Sequence, residues 1–140
     1  MLNGRIMCLD MGEARIGVAV SDLLGMTAQG AGVIFNTDFD EVLSEIQAKI
    51  KEKDVFLLIV GYPLNLDGTE GHKAEAVRLQ YEKIKENVPC DAILWDERFS
   101  TKQAQRALDE AGYNRKKSLK HIDEMAAQII LQSYLDTNII

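Results

Sequence analysis

Six consecutive apolar residues, 55–60 (Val55-Phe56-Leu57-Leu58-Ile59-Val60), stand between two stretches whose apolar side chains recur at helical spacing. Before them, Phe39, Leu43, Ile46 and Ile50 fall on one stripe; after them, Ala74, Val77, Tyr81, Ile84 and Val88 repeat the pattern. A second short apolar run, residues 92–95, follows the turn at Pro89. A strand without polar alternation must be covered on both faces, and amphipathic helices on either side supply the cover. Parallel strands joined by right-handed crossovers are therefore expected here.

The N-terminal part reads differently. Residues 5–10 form a short apolar run ending in Asp10, a tight Met11-Gly12-Glu13 turn follows, and residues 15–21 make a second strand. Residues 31–36 are expected to be a third, which completes an antiparallel meander. At the other end, Ser100-x-x-Gln103 has the form of a capping box, Ala104, Ala107, Leu108 and Ala111 make a buried stripe, and Gly112 supplies a stop. A last helix is expected over residues 120–135, with Ala126 and Ala127 small enough to let it lie close to a sheet. The expected architecture is α/β, a mixed five-stranded sheet of three antiparallel and two parallel strands flanked by helices. No repeat or Pro/Ser-rich linker divides it, and 140 residues suit one domain spanning 1–140.

Net charge is −6, which alone argues against a polyanionic partner, but the charge is unevenly distributed. Residues 98–120 hold Arg98, Lys102, Arg106, Arg115, Lys116, Lys117 and Lys120 against only Asp109 and Glu110, a net +5 that leaves −11 for the rest. Arg115-Lys116-Lys117 reads either as a nucleic-acid contact or as a solvated loop. Cys8 and Cys90 lack metal or redox spacing and sit in or beside apolar runs, as buried reduced thiols do. No window approaches the roughly 20 apolar residues of a membrane span, and no basic segment precedes an apolar stretch. A cytoplasmic chain with no membrane association is expected.

In an open sheet, functional groups gather at the carboxyl ends of the parallel strands. Asp10 closes the first strand, Gly61-Tyr62-Pro63-Leu64-Asn65 leaves the fourth, and Asp96-Glu97-Arg98 leaves the fifth. If the fourth strand lies between the first and fifth, Asp10 and Glu97 stand two strand spacings apart, about 10 Å. Asp123, in the first turn of the last helix and on the face of Ala127 and Ile130, is a third candidate. Three converging carboxylates repel one another unless a cation lies between them, and oxygen ligands without His or Cys point to Mg²⁺ or Mn²⁺. Each has a plainer explanation: the helix dipole for Asp123, turn chemistry for Asp10, a charge paired with Arg98 for Glu97. Tyr62-Pro63 and Asn65-Leu66-Asp67-Gly68 read as turns, and His72 and His121 as surface residues.

The ordered set Leu9-Asp10-Met11-Gly12, Arg15-Ile16-Gly17-Val18-Ala19-Val20-Ser21-Asp22, Val60-Gly61-Tyr62-Pro63-Leu64-Asn65, Asp67-Gly68-Thr69, Asp96-Glu97-Arg98-Phe99-Ser100-Thr101 and Ile122-Asp123-x-x-Ala126-Ala127 resembles the YqgF, or RuvX, family over nearly the whole length. The resemblance implies an RNase H-like, Holliday-junction-resolvase-related fold and a nuclease role in pre-16S rRNA maturation. It implies Asp10, Glu97 and Asp123 as the catalytic, metal-binding acids, and it sets Arg15, Arg98, Ser100 and Thr101 near the scissile phosphate. Resolvases carry their glutamate on the fourth strand; here that position leads into Gly61-Tyr62-Pro63, so the acid must come from the fifth.

The expected activity is metal-dependent hydrolysis of phosphodiester bonds in structured nucleic acid, most directly at the 5′ end of pre-16S rRNA, with Arg98 or Arg115, Lys116 and Lys117 holding phosphates. Partners would be pre-rRNA or branched DNA and ribosomal precursor particles, and the chain a monomer or weak homodimer. Two other readings are a Holliday-junction-resolvase-like DNA endonuclease and a non-catalytic RNA-binding or ribosome-associated factor. An ATPase of the actin or sugar-kinase type shares the D-x-G turn but needs two such domains.

Overall fold

The computed structural model describes residues 3–100 and 119–137. The proposed helix after Ser100, together with Thr101, Arg115, Lys116 and Lys117, lies outside the described residues. The elements run β1 (Arg5–Met11), β2 (Arg15–Ser21), β3 (Ala28–Phe35), α1 (Phe39–Lys53), β4 (Val55–Tyr62), α2 (His72–Glu86), β5 (Asp91–Asp96), a single 3-10 turn (Glu97–Phe99) and α3 (Leu119–Thr137). They form a five-stranded sheet of order β3-β2-β1-β4-β5, antiparallel across β1, β2 and β3 and parallel across β1, β4 and β5. The fourth strand thus lies between the first and fifth, as the site requires.

Alternation along each strand sorts the core into two layers. Met7, Leu9, Ile16, Val18, Leu58 and Val60 face α1 and α2, which contribute Val42, Ile46, Ile50, Val77 and Ile84. Ile6, Cys8, Ala19 and Ile59 face the opposite way and are covered by Ala127, Ile130, Leu131 and Leu135 of α3. Cys8 is a buried free thiol, pushed up in pKa by burial and then by the neighbouring carboxylates Asp10 and Glu97.

Local signals set the helix ends. Asp38 caps α1 by accepting from the Glu41 amide at 3.1 Å, and Asp54 ends it in the left-handed conformation, φ 55°, its amide donating to the Ile50 and Lys51 carbonyls. The buried stripe of α1 runs through Val42 rather than the expected Leu43, which is only partly covered.

The third strand begins three residues earlier than residues 31–36 predict. Residues 28–32 carry two glycines and no apolar alternation, so their conformation is imposed by neighbours. Val20 and Ser21 pair with Gln29 and Ala28, and Gln132 of α3 accepts from the Ala28 amide at 3.0 Å. A Cβ at Gly30 would stand 2.4 Å from the Glu124 carboxylate, which explains why small residues occupy a strand lying directly under α3. Among the described residues, no helix is long and apolar enough to cross a membrane.

Candidate active site

The site continues the α3-facing rows beyond the ends of the apolar runs. Ile6 and Cys8 lead by twos to Asp10; Leu57 and Ile59 lead to Gly61; Ile93 and Trp95 lead to Glu97. Leu9 pairs with Val60 and Gly61 with Trp95, so the three rows end side by side. The same alternation that buries Cys8 and Ile59 under α3 therefore directs both carboxylates to the α3 side.

Gly61 makes room for the acid from the neighbouring strand. A Cβ there would come within 2.9 Å of Glu97 Oε2 and 2.9 Å of Ile130 Cδ1. The Glu97 carboxylate thus lies over the end of β4, although its backbone belongs to the turn after β5. That turn is closed by Ser100, whose amide donates to the Glu97 carbonyl at 3.0 Å and whose hydroxyl donates to the same oxygen. Ser100 is used locally to hold Glu97.

Burial and neighbouring charge raise both carboxyls. Asp10 is raised above its ordinary pKa by burial first, an effect that Lys73 opposes and Asp123 reinforces. Glu97 is pushed up to about 7, by burial first, then by the charge of Asp10, with Lys73 opposing and Asp96 adding.

Lys73 has no counterpart in the expectations. It occupies the first turn of α2, where a cation opposes the helix dipole, and its charge acts on both Asp10 and Glu97. A lysine placed against the dipole was the available sequence signal.

Asp123 reaches the same end of the sheet because α3 starts almost on β2. A Cβ at Gly17 would stand 2.0 Å from the Asp123 carbonyl oxygen, so only glycine permits the approach. Its carboxylate is taken up by Arg15, Nε to Oδ2 at 2.7 Å. Arg15 in turn follows a turn locked by the Gly12 amide donating to the Arg15 carbonyl at 3.0 Å and by Asn36 Nδ2 donating to the Gly12 carbonyl at 2.7 Å. Among the described residues, no group of three acidic, histidine or cysteine side chains is close enough to share one metal ion. Asp10 and Glu97 offer hard carboxylate oxygens whose repulsion a divalent cation would relieve, while Asp123 is committed to Arg15.

Arg98 pairs with Asp96 rather than with Glu97. Its Nε and Nη2 donate to Asp96 Oδ2 at 2.9 and 2.6 Å, and its Nη1 donates to the Leu66 carbonyl at 3.3 Å. The guanidinium holds Asp96 below the usual carboxylate range and ties the loop after β4 to the end of β5. His72 is exposed, as expected.

Comparison with known proteins agrees with this architecture. Residues 4–137 match the family model "RuvX: Holliday junction resolvase". A Clostridioides difficile protein described as "Putative pre-16S rRNA nuclease" is 48% identical over 139 residues, covering 99% of each chain. A Geobacillus kaustophilus protein of the same description is 47% identical over 135 residues, covering 95% of this chain and 98% of the relative. Among solved structures, Thermus thermophilus RuvC in complex with a Holliday junction substrate superimposes with a TM-score of 0.64 at 9% identity over 96% of each chain. The Fowlpox virus resolvase bound to Holliday junction DNA gives 0.58 at 13% identity, over 97% of this chain and 99% of the other. These likenesses show the RNase H-like fold of the resolvases.

Proposed function

Because this chain belongs to the RuvX family, we propose that it is a single-domain, divalent-metal-dependent nuclease acting at the 5′ end of pre-16S rRNA on ribosomal precursor particles in the cytoplasm. The observation that carries the reading is the convergence of Asp10 and Glu97 on one face at the carboxyl edge, with Glu97 filling the space that Gly61 leaves empty. The nucleic-acid substrate and its place in ribosome assembly come from the names of the relatives.

Asp10 and Glu97 would hold the cation, Mg²⁺ or Mn²⁺, with Asp123 as a further ligand once Arg15 turns to a substrate phosphate. A bound divalent ion supplies water activation and charge stabilisation at the leaving oxygen. Arg15 is suited to the exchange because its guanidinium already lies against a carboxylate at the site's rim and can bind phosphate bidentately. Lys73 lowers the cost of holding Asp10 and Glu97 ionised together. Arg98 and Ser100 act at one remove, fixing the loop after β4 and the turn that carries Glu97. Thr101, Arg115, Lys116 and Lys117 would extend the phosphate contacts beyond this core.

The test is cleavage of a labelled pre-16S rRNA fragment and of a four-way DNA junction by purified protein with Mg²⁺, Mn²⁺ or EDTA, beside Asp10→Asn. Metal-dependent cutting of the RNA, lost in the variant, is the expected result. Preferential cutting of the junction would transfer the activity to DNA. Binding of RNA without cutting, unchanged in Asp10→Asn, would make the chain a non-catalytic RNA-binding factor.

A further inference from the structure

The loop between β4 and α2 presents an apolar side chain to solvent and spends many polar contacts holding it there. Leu66 is 95% exposed, the most exposed large apolar residue of those described. An exposed leucine on a mobile tip needs no explanation, but this tip is fastened on every side. The Asn65 amide donates to the Thr69 carbonyl at 2.9 Å, and the Gly68 amide donates to the Asn65 carbonyl at 2.9 Å. Asn65 Nδ2 donates to Thr69 Oγ1 at 3.0 Å, while the Thr69 amide and hydroxyl donate to Asp67 Oδ1 at 3.0 and 2.6 Å. Gly68 takes a positive φ of 88° that closes the turn.

Two further ties join this turn to the rest of the site. The Leu66 carbonyl accepts from Arg98, the residue following Glu97, and the same guanidinium packs against Gly68, where a Cβ would stand 3.2 Å from Nη1. On the other side, the Tyr62 hydroxyl donates to Glu70, which Arg78 of α2 holds at 2.8 Å. Leu66 is thereby tied to the segment that carries Glu97, one guanidinium away, while its side chain stays exposed.

We propose that Leu66 is a wedge that enters between stacked bases next to the scissile phosphate and separates them as the strand seats on Asp10 and Glu97. An apolar side chain held rigidly beside a phosphate-reading surface is what such insertion needs, because a mobile tip would be pushed aside by the stack it has to open. The wedge selects substrate by the ease with which the bases at the cut unstack, favouring a flexible or imperfectly paired step over a regular helix. This inference rests on the nuclease reading above.

The experiment uses the full chain and a structured RNA fragment spanning the 16S 5′ end, with 2-aminopurine in turn at each nucleotide flanking the cut, in Mg²⁺ for cleavage and in Ca²⁺ for binding. Wild type is expected to raise the fluorescence of one flanking 2-aminopurine on binding, and Leu66→Ala to abolish that rise while the melting temperature stays the same. Cleavage of the fully paired fragment should fall about tenfold or more in Leu66→Ala, with a clearly smaller loss when the flanking step is mismatched. Leu66→Phe should keep both the fluorescence rise and the cutting. An equal loss on paired and mismatched RNA, or an unchanged fluorescence rise in Leu66→Ala, would overturn the wedge while leaving the nuclease intact. Wild type that neither binds nor cuts the RNA would overturn the nuclease reading, and the wedge with it.

Discussion

Gly61 and Glu97 share one volume: the carboxylate of the residue after β5 lies where a β4 side chain would begin, 2.9 Å from the position of the missing Cβ. The acid at the end of the fourth row is thus delivered from the neighbouring strand, and glycine is the residue that permits it.

Gly61→Ala should therefore damage activity more than stability. The added methyl meets Glu97 Oε2 and Ile130 Cδ1 at the same distance, so the carboxylate must move. A displacement near 1 Å can cost about a hundredfold in rate, whereas overpacking of this size costs about 1–3 kcal/mol. Combining it with Ile130→Val relieves only the packing half of the clash. Steady-state rates beside thermal melts should show stability recovering in the double variant and activity staying low. Recovery of both would mean that Glu97 was never displaced.

The pH dependence of metal-free stability should report the carboxylate pair. Glu97 stands at about 7 in the folded chain against an ordinary 4.5. A raised folded pKa contributes stability that is fully present below the unfolded value and lost as pH rises through the folded one, here between about 4.5 and 7. In EDTA, Glu97→Gln should melt several degrees above wild type at pH 8, with the difference vanishing near pH 4. Lys73→Met should act in the opposite sense, moving the Glu97 titration further up, as carbon-detected NMR of its carboxyl would show. A Glu97→Gln advantage that does not change with pH would place its origin outside the pair's repulsion.

Arg15→Gln should separate metal affinity from substrate affinity. The Arg15 and Asp123 side chains are 34% and 25% exposed, so their ion pair is worth about 0–1 kcal/mol to folding and its loss should barely move the melt. Freeing Asp123 should strengthen Mn²⁺ binding in calorimetry, and losing a charged phosphate contact should raise KM about tenfold. Unchanged values of both would show that Arg15 and Asp123 serve only to fasten α3 to β2.

Much of the architecture was legible because its signals are local. The uninterrupted run from Val55 to Val60 and the stripes through Ile46, Ile50, Val77 and Ile84 fix strand and helix by spacing alone, and the ends of β2 fell where expected. The glycine-rich start of β3 was missed because no spacing marks it; its conformation comes from pairing with β2 and cover by α3. Asp10 and Glu97 were expected at one edge because Asp10 lies at the end of the first strand and Glu97 directly follows the fifth, positions that the strand boundaries alone supply.

The partnerships at the site follow a different rule. Arg15 and Asp123 are 108 positions apart, Lys73 of α2 acts on an acid of β1 and on one in the turn after β5, and Arg98 turns from its neighbour Glu97 to Asp96 and the Leu66 carbonyl. The sequence by itself determined the elements, their buried faces and the carboxylates at their ends, because side-chain direction repeats with a period of two or 3.6 along a single segment. Only the tertiary structure decided which charges meet, because that depends on how closely α3 approaches β2 over Gly17 and on the empty space at Gly61, both set by packing between segments distant in the chain.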